Sequence, residues 1–450
     1  MKNTSSGLFC WIVLASLYLC HTDAVAQQDV FGNALTNNFQ SQSNNFASQQ
    51  PGPTTPGSGQ FGAPYMGTSS LPGSSAATTF YVPTGPPLEQ WGPLGFYPHL
   101  LYSLTYGNGI QAQPGKNSTT AINTVAPGAF LKIGGHWSID YTLSRAIYSN
   151  PIFRDTTDHH VILTGVTTNG DWTLKLSQSY IDTTAPLVET GTQTEQEAYA
   201  TALNAAWQMN DKMSLQLGLN QNFRFAQSLS DLHEWSTSDW LNYQFEPQFG
   251  AGLGLTGGYD EVSLGSDMPF EQILGRVVFQ PGTKLSLILV GGGEDRQFLR
   301  PAERALVSPI FDASVHYQIL PGTLLTISGR RTVTPSLEGG EINTATSVTA
   351  ALHQDIAKNM YFEISGGYTS EPFTSIAAGP LPKYFFGAPP TSTLVNTRTD
   401  TRTYEQFRLS RVFRTRLTAS VFVMFNNNNS SQANFSYSGN QVGLELNYRY

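Results

Sequence analysis

The sequence predicts an all-β fold, a transmembrane antiparallel β-barrel of about eighteen strands, with sixteen as the alternative count, behind a disordered N-terminal arm. Three observations predict it. Apolar and polar residues alternate along one segment after another, and tight turns alternate with longer polar connections. Charged residues are only 12% of the chain, while 26 Phe, 20 Tyr and 7 Trp accompany 42 Gly; an ordinary globular protein carries about 25% charged residues. Beyond the first 26 residues no apolar run nears the roughly 20 residues that a spanning helix needs. A chain like this that crosses a membrane does so with strands.

Residues 1–26 read as a secretory signal peptide. Lys2 supplies the positive end, Leu8 to Leu19 the apolar core, and Ala24-Val25-Ala26 a small-x-small cleavage site before Gln27. Both cysteines, Cys10 and Cys20, fall in this segment, so the exported chain would carry no thiol and no disulfide. Residues 27–90 are rich in Gln, Asn, Ser, Gly and Pro, with almost no charge and isolated aromatics such as Phe39, Phe46 and Phe61. Too little apolar area is present to offset the chain entropy of folding, so this segment reads as a disordered periplasmic arm.

Residues 91–450 read as the barrel. The tight connections are Gly134-Gly135, Asn169-Gly170, Asn210-Asp211, Pro247-Gln248, Pro281-Gly282, Pro321-Gly322, Ala357-Lys358 and Arg414-Thr415; the two Pro-Gly pairs suit type II turns. Longer connections are expected at Gly107 to Thr120, Asp182 to Thr194, Phe298 to Arg304, Glu371 to Val395 and Asn426 to Asn434. Short turns on one side and long loops on the other are the asymmetry of outer-membrane barrels. Between them the register is firm. Met213, Leu215, Leu217 and Leu219 oppose Ser214, Gln216, Gly218 and Asn220, and a slip of one residue would turn each polar group toward lipid. Two strands blur the pattern: Leu285 to Val290 is apolar on both faces, and Leu274 and Val278 fall at inward positions. The last nine residues alternate cleanly, placing Val442, Leu444, Leu446, Tyr448 and Tyr450 on one face. Tyr448 and Tyr450 are the candidate signal for the barrel-insertion machinery.

The opening strand Gly95-Phe-Tyr-Pro-His-Leu-Leu-Tyr-Ser-Leu-Thr-Tyr106, the hairpins repeating about every forty residues, and the terminal pair containing Tyr404-Glu-Gln-Phe-Arg-Leu-Ser-Arg411 and the final strand carry a resemblance. From Gly95 onward the chain resembles the beta-barrel porin 2 family of Gram-negative outer-membrane proteins. That likeness implies a pore, some relatives being associated with exopolysaccharide export, and brings no catalytic motif. The chain departs from the family at Gly107-Asn-Gly-Ile110, where an acidic residue followed by Asn is common.

Little points to chemistry. His159 and His160 adjoin Asp158, but neighbouring strand residues face opposite ways and cannot readily share a metal ion. Asp312, Ser314 and His316 share a face, yet i and i+2 positions lie about 7 Å apart, too far for a hydrogen-bonded nucleophile and base. The Gly-rich runs Gly250 to Gly258 and Gly291 to Gly293 lack a following helix or lysine; in a barrel, glycines make room for neighbouring side chains. No enzyme, metal or cofactor is expected.

The candidate site is a set of lumen charges: Arg402 and Arg408 on one strand, Arg416 on the next, and Glu445 and Arg449 on the last. They read either as an internal network paired through Glu445 or as a basic patch at the periplasmic mouth. Inward acids Asp140, Asp260, Asp312 and Glu363 on other strands make the lumen mixed in sign. The expected function is an outer-membrane pore for passive diffusion of small hydrophilic solutes, with Glu371 to Val395 as its candidate constriction. The alternatives are an export conduit for an exopolysaccharide and a plugged structural or adhesive barrel. Expected partners are outer-membrane lipid, the insertion machinery and, through the arm, periplasmic export components; no nucleic acid is expected. Mass spectrometry of protein recovered from cells should find Gln27 as the first residue, and a retained Met1 would rule out this export route.

Overall fold

The computed structural model describes residues 86–111, 113–299, 304–375 and 395–450. Its strands are β1 (Glu89–Trp91), β2 (Leu94–Gln111), β3 (Asn117–Ile133), β4 (Trp137–Tyr148), β5 (Thr156–Asn169), β6 (Trp172–Thr183), β7 (Pro186–Leu187), β8 (Thr192–Gln193), β9 (Gln196–Asn210), β10 (Met213–Ala226), β11 (Leu232–Glu246), β12 (Phe249–Val262), β13 (Met268–Phe279), β14 (Leu285–Phe298), β15 (Arg304–Leu320), β16 (Thr323–Pro335), β17 (Glu341–Ala357), β18 (Met360–Ser375), β19 (Val395–Phe413), β20 (Leu417–Ser430) and β21 (Tyr437–Arg449). Strands β2 to β6 and β9 to β21 pair antiparallel, each with its neighbour in sequence. The ring closes where β2 meets β21, from His99 opposite Arg449 to Gly107 opposite Gln441. This makes eighteen strands in a closed barrel. The hairpin from Tyr97 to Lys132 is part of the ring, so the count is eighteen and not sixteen. β1 folds back on the start of β2, so pairing begins at Glu89, just inside the stretch read as an arm.

All eight tight turns lie at one end, with two to five residues between strands, and the connections at the other end run from five to nineteen residues. Gly322 adopts φ +84°, as a type II turn requires, whereas Gly282 does not adopt a positive φ and sits in the five-residue link between β13 and β14. At Arg414 and Thr415 both residues are left-handed, with φ +49° and +64°, the handedness that matches a two-residue turn to strand twist. Several segments expected as loops are strand. β2 runs on to Gln111, β3 starts at Asn117 and β20 continues through Asn426–Ser430. Ladder hydrogen bonds join backbones, so pairing persists past the apolar band where side chains turn to Asn, Ser and Gly.

Alternation sorts the side chains. On β10, Ser214, Gln216, Asn220, Asn222 and Arg224 are buried inside, while Leu217 and Leu219 are exposed outside. The closing strand follows suit, with Val442 and Leu444 exposed and Gln441 buried. Tyr450 departs from the alternation. Pairing stops at Arg449, and the ring packs with the inward residues Tyr97 and Phe130, its N–H donating to the Pro98 carbonyl at 3.2 Å.

The strands that blurred the pattern have a common explanation. Inward Trp240, Leu274 and Ile310 pack together with Val290, forming an apolar patch on the inner wall of β11 to β15. Glycines of β12 seat two inward aromatic rings, Trp240 in this patch and Phe270 beside it. A Cβ on Gly254 would lie 2.7 Å from indole carbons of Trp240, and Gly258 stands likewise beneath the ring of Phe270. Gly254→Val should therefore cost about 1–3 kcal/mol by forcing Trp240 off the wall. Gly293→Ala, with no atom within 4 Å of its would-be Cβ, should stay within about 0.5 kcal/mol. Urea unfolding midpoints of the two variants check the difference.

Candidate functional site

The lumen is a mixed-charge channel wall narrowed at the long-loop end by an inserted loop. Most inward charges are paired. On the β12–β14 wall Arg296 is ion-paired with Asp260, donates to Glu294 Oε1 at 2.8 Å and lies over the Phe270 ring at 4.5 Å. On β19, Arg398 lies 3.3 Å from Asp400 and 3.8 Å from Glu338, with its guanidinium against both Phe373 and Phe435 at 4.1 Å. Burying these two guanidiniums is tolerable because both find carboxylates and aromatic faces.

The charges singled out from sequence divide into separate contacts. Arg408 donates to Glu445 Oε1 at 3.2 Å, across β20. Arg402, further toward the long-loop end, pairs with Glu371 of β18. Arg416 is exposed in the tight turn and stacks on Tyr450 at 3.9 Å, and Arg449 donates to Asn447 Oδ1 at 3.2 Å. Tyr448 lies on the outward face, opposite Leu100 and Leu417. Four of the charges therefore stand along the wall and Arg416 stands in the turn, and the five do not form one cluster. His159 points outward to the Tyr141 hydroxyl at 3.0 Å, away from His160. Asp312 faces Arg330 at 3.8 Å and His316 faces Thr326 at 3.3 Å, so this row is tied sideways to β16.

Arg276 was not singled out from sequence. It projects inward from β13, donates to Gln216 Oε1 at 3.2 Å and to Asn242, and lies 4.3 Å above the Trp240 ring. Among the described residues no carboxylate lies within ion-pair distance of it. Beside it are the apolar patch of Trp240, Leu274, Val290 and Ile310 and the Arg330–Asp312 pair, which with Arg296 and Glu294 border a cavity of about 250 Å³. Its signal in the sequence was parity: Arg276 is two residues from Leu274 and Val278, in the strand whose apolar inward residues obscured the pattern.

The expected constriction lies largely outside the described residues. Of the Glu371 to Val395 segment, Glu371–Ser375 belong to β18, Val395 begins β19, and residues 376–394 lie outside the described residues. Among the described residues, the segment that enters the lumen is the connection 184–195 between β6 and β9, which carries the two-residue strands β7 and β8 and is buried from Ala185 to Gly191. Gly191 supplies the left-handed turn at φ +65°, and its N–H donates to Leu187 O at 2.8 Å. Val188 packs among Ile110, Ile122, Tyr148, Phe153 and Tyr437, while Leu187 meets Ala226 and Leu337. At the tip, Glu189 accepts from Ser336 Oγ at 2.5 Å and from the Leu337 N–H at 2.7 Å, and its carbonyl accepts from Arg398 at 2.9 Å. β10 and β19 stand half a ring apart, so the loop bridges opposite walls.

No family model and no curated protein matches the chain. Solved structures that resemble it include Pseudomonas aeruginosa OpdQ (10% identity, TM-score 0.42, covering 79% of this chain and 98% of that one), the Pseudomonas aeruginosa outer membrane protein opdK (11%, 0.41, 79% and 98%) and Acinetobacter baumannii OccAB3 (8%, 0.40, 79% and 99%). Closure of the eighteen-stranded ring rests on the strand pairing described above.

Burial pushes the Glu189 carboxyl up from its ordinary value of 4.5 to about 7, although its two hydrogen-bond donors and Arg224 favour the charged form. For an acid with a raised value, the seated loop holds its proton more tightly than a solvated loop does. Seating is then strongest below about 4.5 and weakens as pH rises toward 7. Amide protection of Leu187–Gly191 should fall across that window and lose this dependence in Glu189→Gln. Equal pH dependence in both proteins would show that another group controls the loop.

Proposed function

We propose that the chain is a bacterial outer-membrane porin-like pore that passes small hydrophilic solutes by passive diffusion, narrowed by the loop 184–195. The observation that carries this reading is the inversion of the closed ring: apolar outside, polar and charged inside, with no free edge along the eighteen strands of the ring. In water that exterior would be unfavourable, whereas in a bilayer it is the expected surface. Two aromatic girdles support the placement. Trp172 and Trp207 stack at 5.6 Å near the tight-turn end, and Tyr180, Tyr199, Phe225, Phe223 and Trp235 form ring contacts near the long-loop end. Such rings favour the two membrane–water interfaces.

By analogy with outer-membrane barrels the tight turns face the periplasm. The chain preceding β1 then enters there, suiting residues 27–90 to a periplasmic arm that meets export components. The beta-barrel porin 2 likeness is compatible with this reading, and Tyr448 with Tyr450 remains the proposed insertion signal. An eighteen-stranded ring is wide enough that side chains alone do not fill it, which gives the inserted loop its importance.

Planar-bilayer recording tests the proposal. The full-length protein should form discrete channels, and removing residues 184–195 should raise single-channel conductance by a factor on the order of two or more. Channels unchanged by the deletion would sink the constriction, and no conductance from either protein would favour a plugged structural barrel.

A further inference from the structure

At mid-height the outer face of the barrel is predominantly apolar, yet the sector of β6, β9, β10 and β11 gathers hydrogen-bonding side chains of both donor and acceptor kind. Gln178 on β6, Thr201 on β9 and Gln221 on β10 stand opposite one another in register, and Asp239 on β11 lies between Leu217 and Leu255. All four point outward, since Ser179, Ala202, Asn222 and Ser238, the next residue in each strand or the one before, are buried inside. Their heights agree. Gln178 is six residues from Trp172, Thr201 nine from Asn210, Gln221 eight from Met213 and Asp239 seven from Glu246, each counted from the tight-turn end of its strand. Thr201 Oγ1 donates to Gln178 Oε1 at 2.5 Å, while Asp239 forms no ion pair among the described residues. Elsewhere at this height, Glu271 on β13 faces Asp295 on β14, both of them acceptors; Arg331 on β16 donates to the Pro309 carbonyl and to Thr346 within the chain, Asn123 accepts from the Tyr102 hydroxyl, and Glu405 stands over Gly366.

Hydrocarbon offers a carboxylate and an amide no partner, so a band of them on adjacent strands calls for protein there. We propose that the outer face of β6, β9, β10 and β11 is the contact between two copies of this chain, related by a two-fold axis along the membrane normal between β9 and β10. That axis exchanges β9 with β10 and β6 with β11. Asp239 then meets the Gln178 amide of the second copy, and Gln221 meets its Thr201. Acceptor faces donor in each case, as an isologous contact requires. A second copy stands at the same height in the same bilayer, so the match in depth is automatic. Exposed Leu203, Leu217 and Leu219 surround the axis and supply apolar contact.

The inference rests on the membrane placement proposed above and goes beyond it. Native mass spectrometry of the full-length protein in lipid nanodiscs should give twice the mass of one chain. The double variant Asp239→Leu with Gln221→Leu should halve that mass. These changes make the surface more apolar, so a lone lipid-bathed barrel still folds, which resistance to extraction by alkaline carbonate verifies. Glu405→Leu, on the far side of the ring, should leave the mass unchanged. A wild-type protein that stays in the membrane as single chains, or a double variant that remains paired, overturns this inference alone. Release of the wild type by carbonate overturns the membrane placement with it.

Discussion

Every feature of this molecule depends on the pairing of β2 with β21. An antiparallel sheet leaves a row of unmet N–H and C=O groups at each edge, and eighteen strands laid flat would leave two such rows. Joining His99 to Gly107 with Arg449 to Gln441 removes both. Closure then fixes an inside and an outside, and strict alternation assigns each side chain to one of them. Strand count sets the width of the ring. A ring this wide cannot be filled by its own side chains, which leaves space for a connection to fold inward.

What fills the interior is not an apolar core. Charges face one another across strands, as Arg408 and Glu445 do, or lie flat on aromatic rings, as Arg296 does on Phe270. The rings in turn lie on glycines, Trp240 on Gly254 and Phe270 on Gly258. This layering of glycine, ring and guanidinium holds an arginine close to the wall. The buried pairs contribute little net stability in themselves, but removing one member would strand its partner.

Much of the architecture was legible in the sequence because a period of two is a strong signal and lipid punishes a slip. The turns at Gly134, Asn169 and Pro321 and the faces of β10, β20 and β21 all follow from it. Loop lengths were less legible, since polar residues such as Asn426 to Ser430 pair through backbone that carries no side-chain signature. Individual inward charges could be read from parity, yet not their partners. Arg402 finds Glu371 and not Glu445, because facing residues on neighbouring strands are set by register across the ring and not by proximity in the chain. The inserted loop was hidden for a related reason. Residues 184–195 are short and carry no run of charge, and only the walls they touch reveal where they go.

Those contacts also decide how the loop can move. Its two ends are fixed on β6 and β9, which are neighbours, while Leu187 is held by β10 and Glu189 by the connection after β16 and by β19. The tip is thus held from two walls at once, and freeing it from the lumen means breaking both sets of contacts. The loop is therefore a bar latched at both jambs.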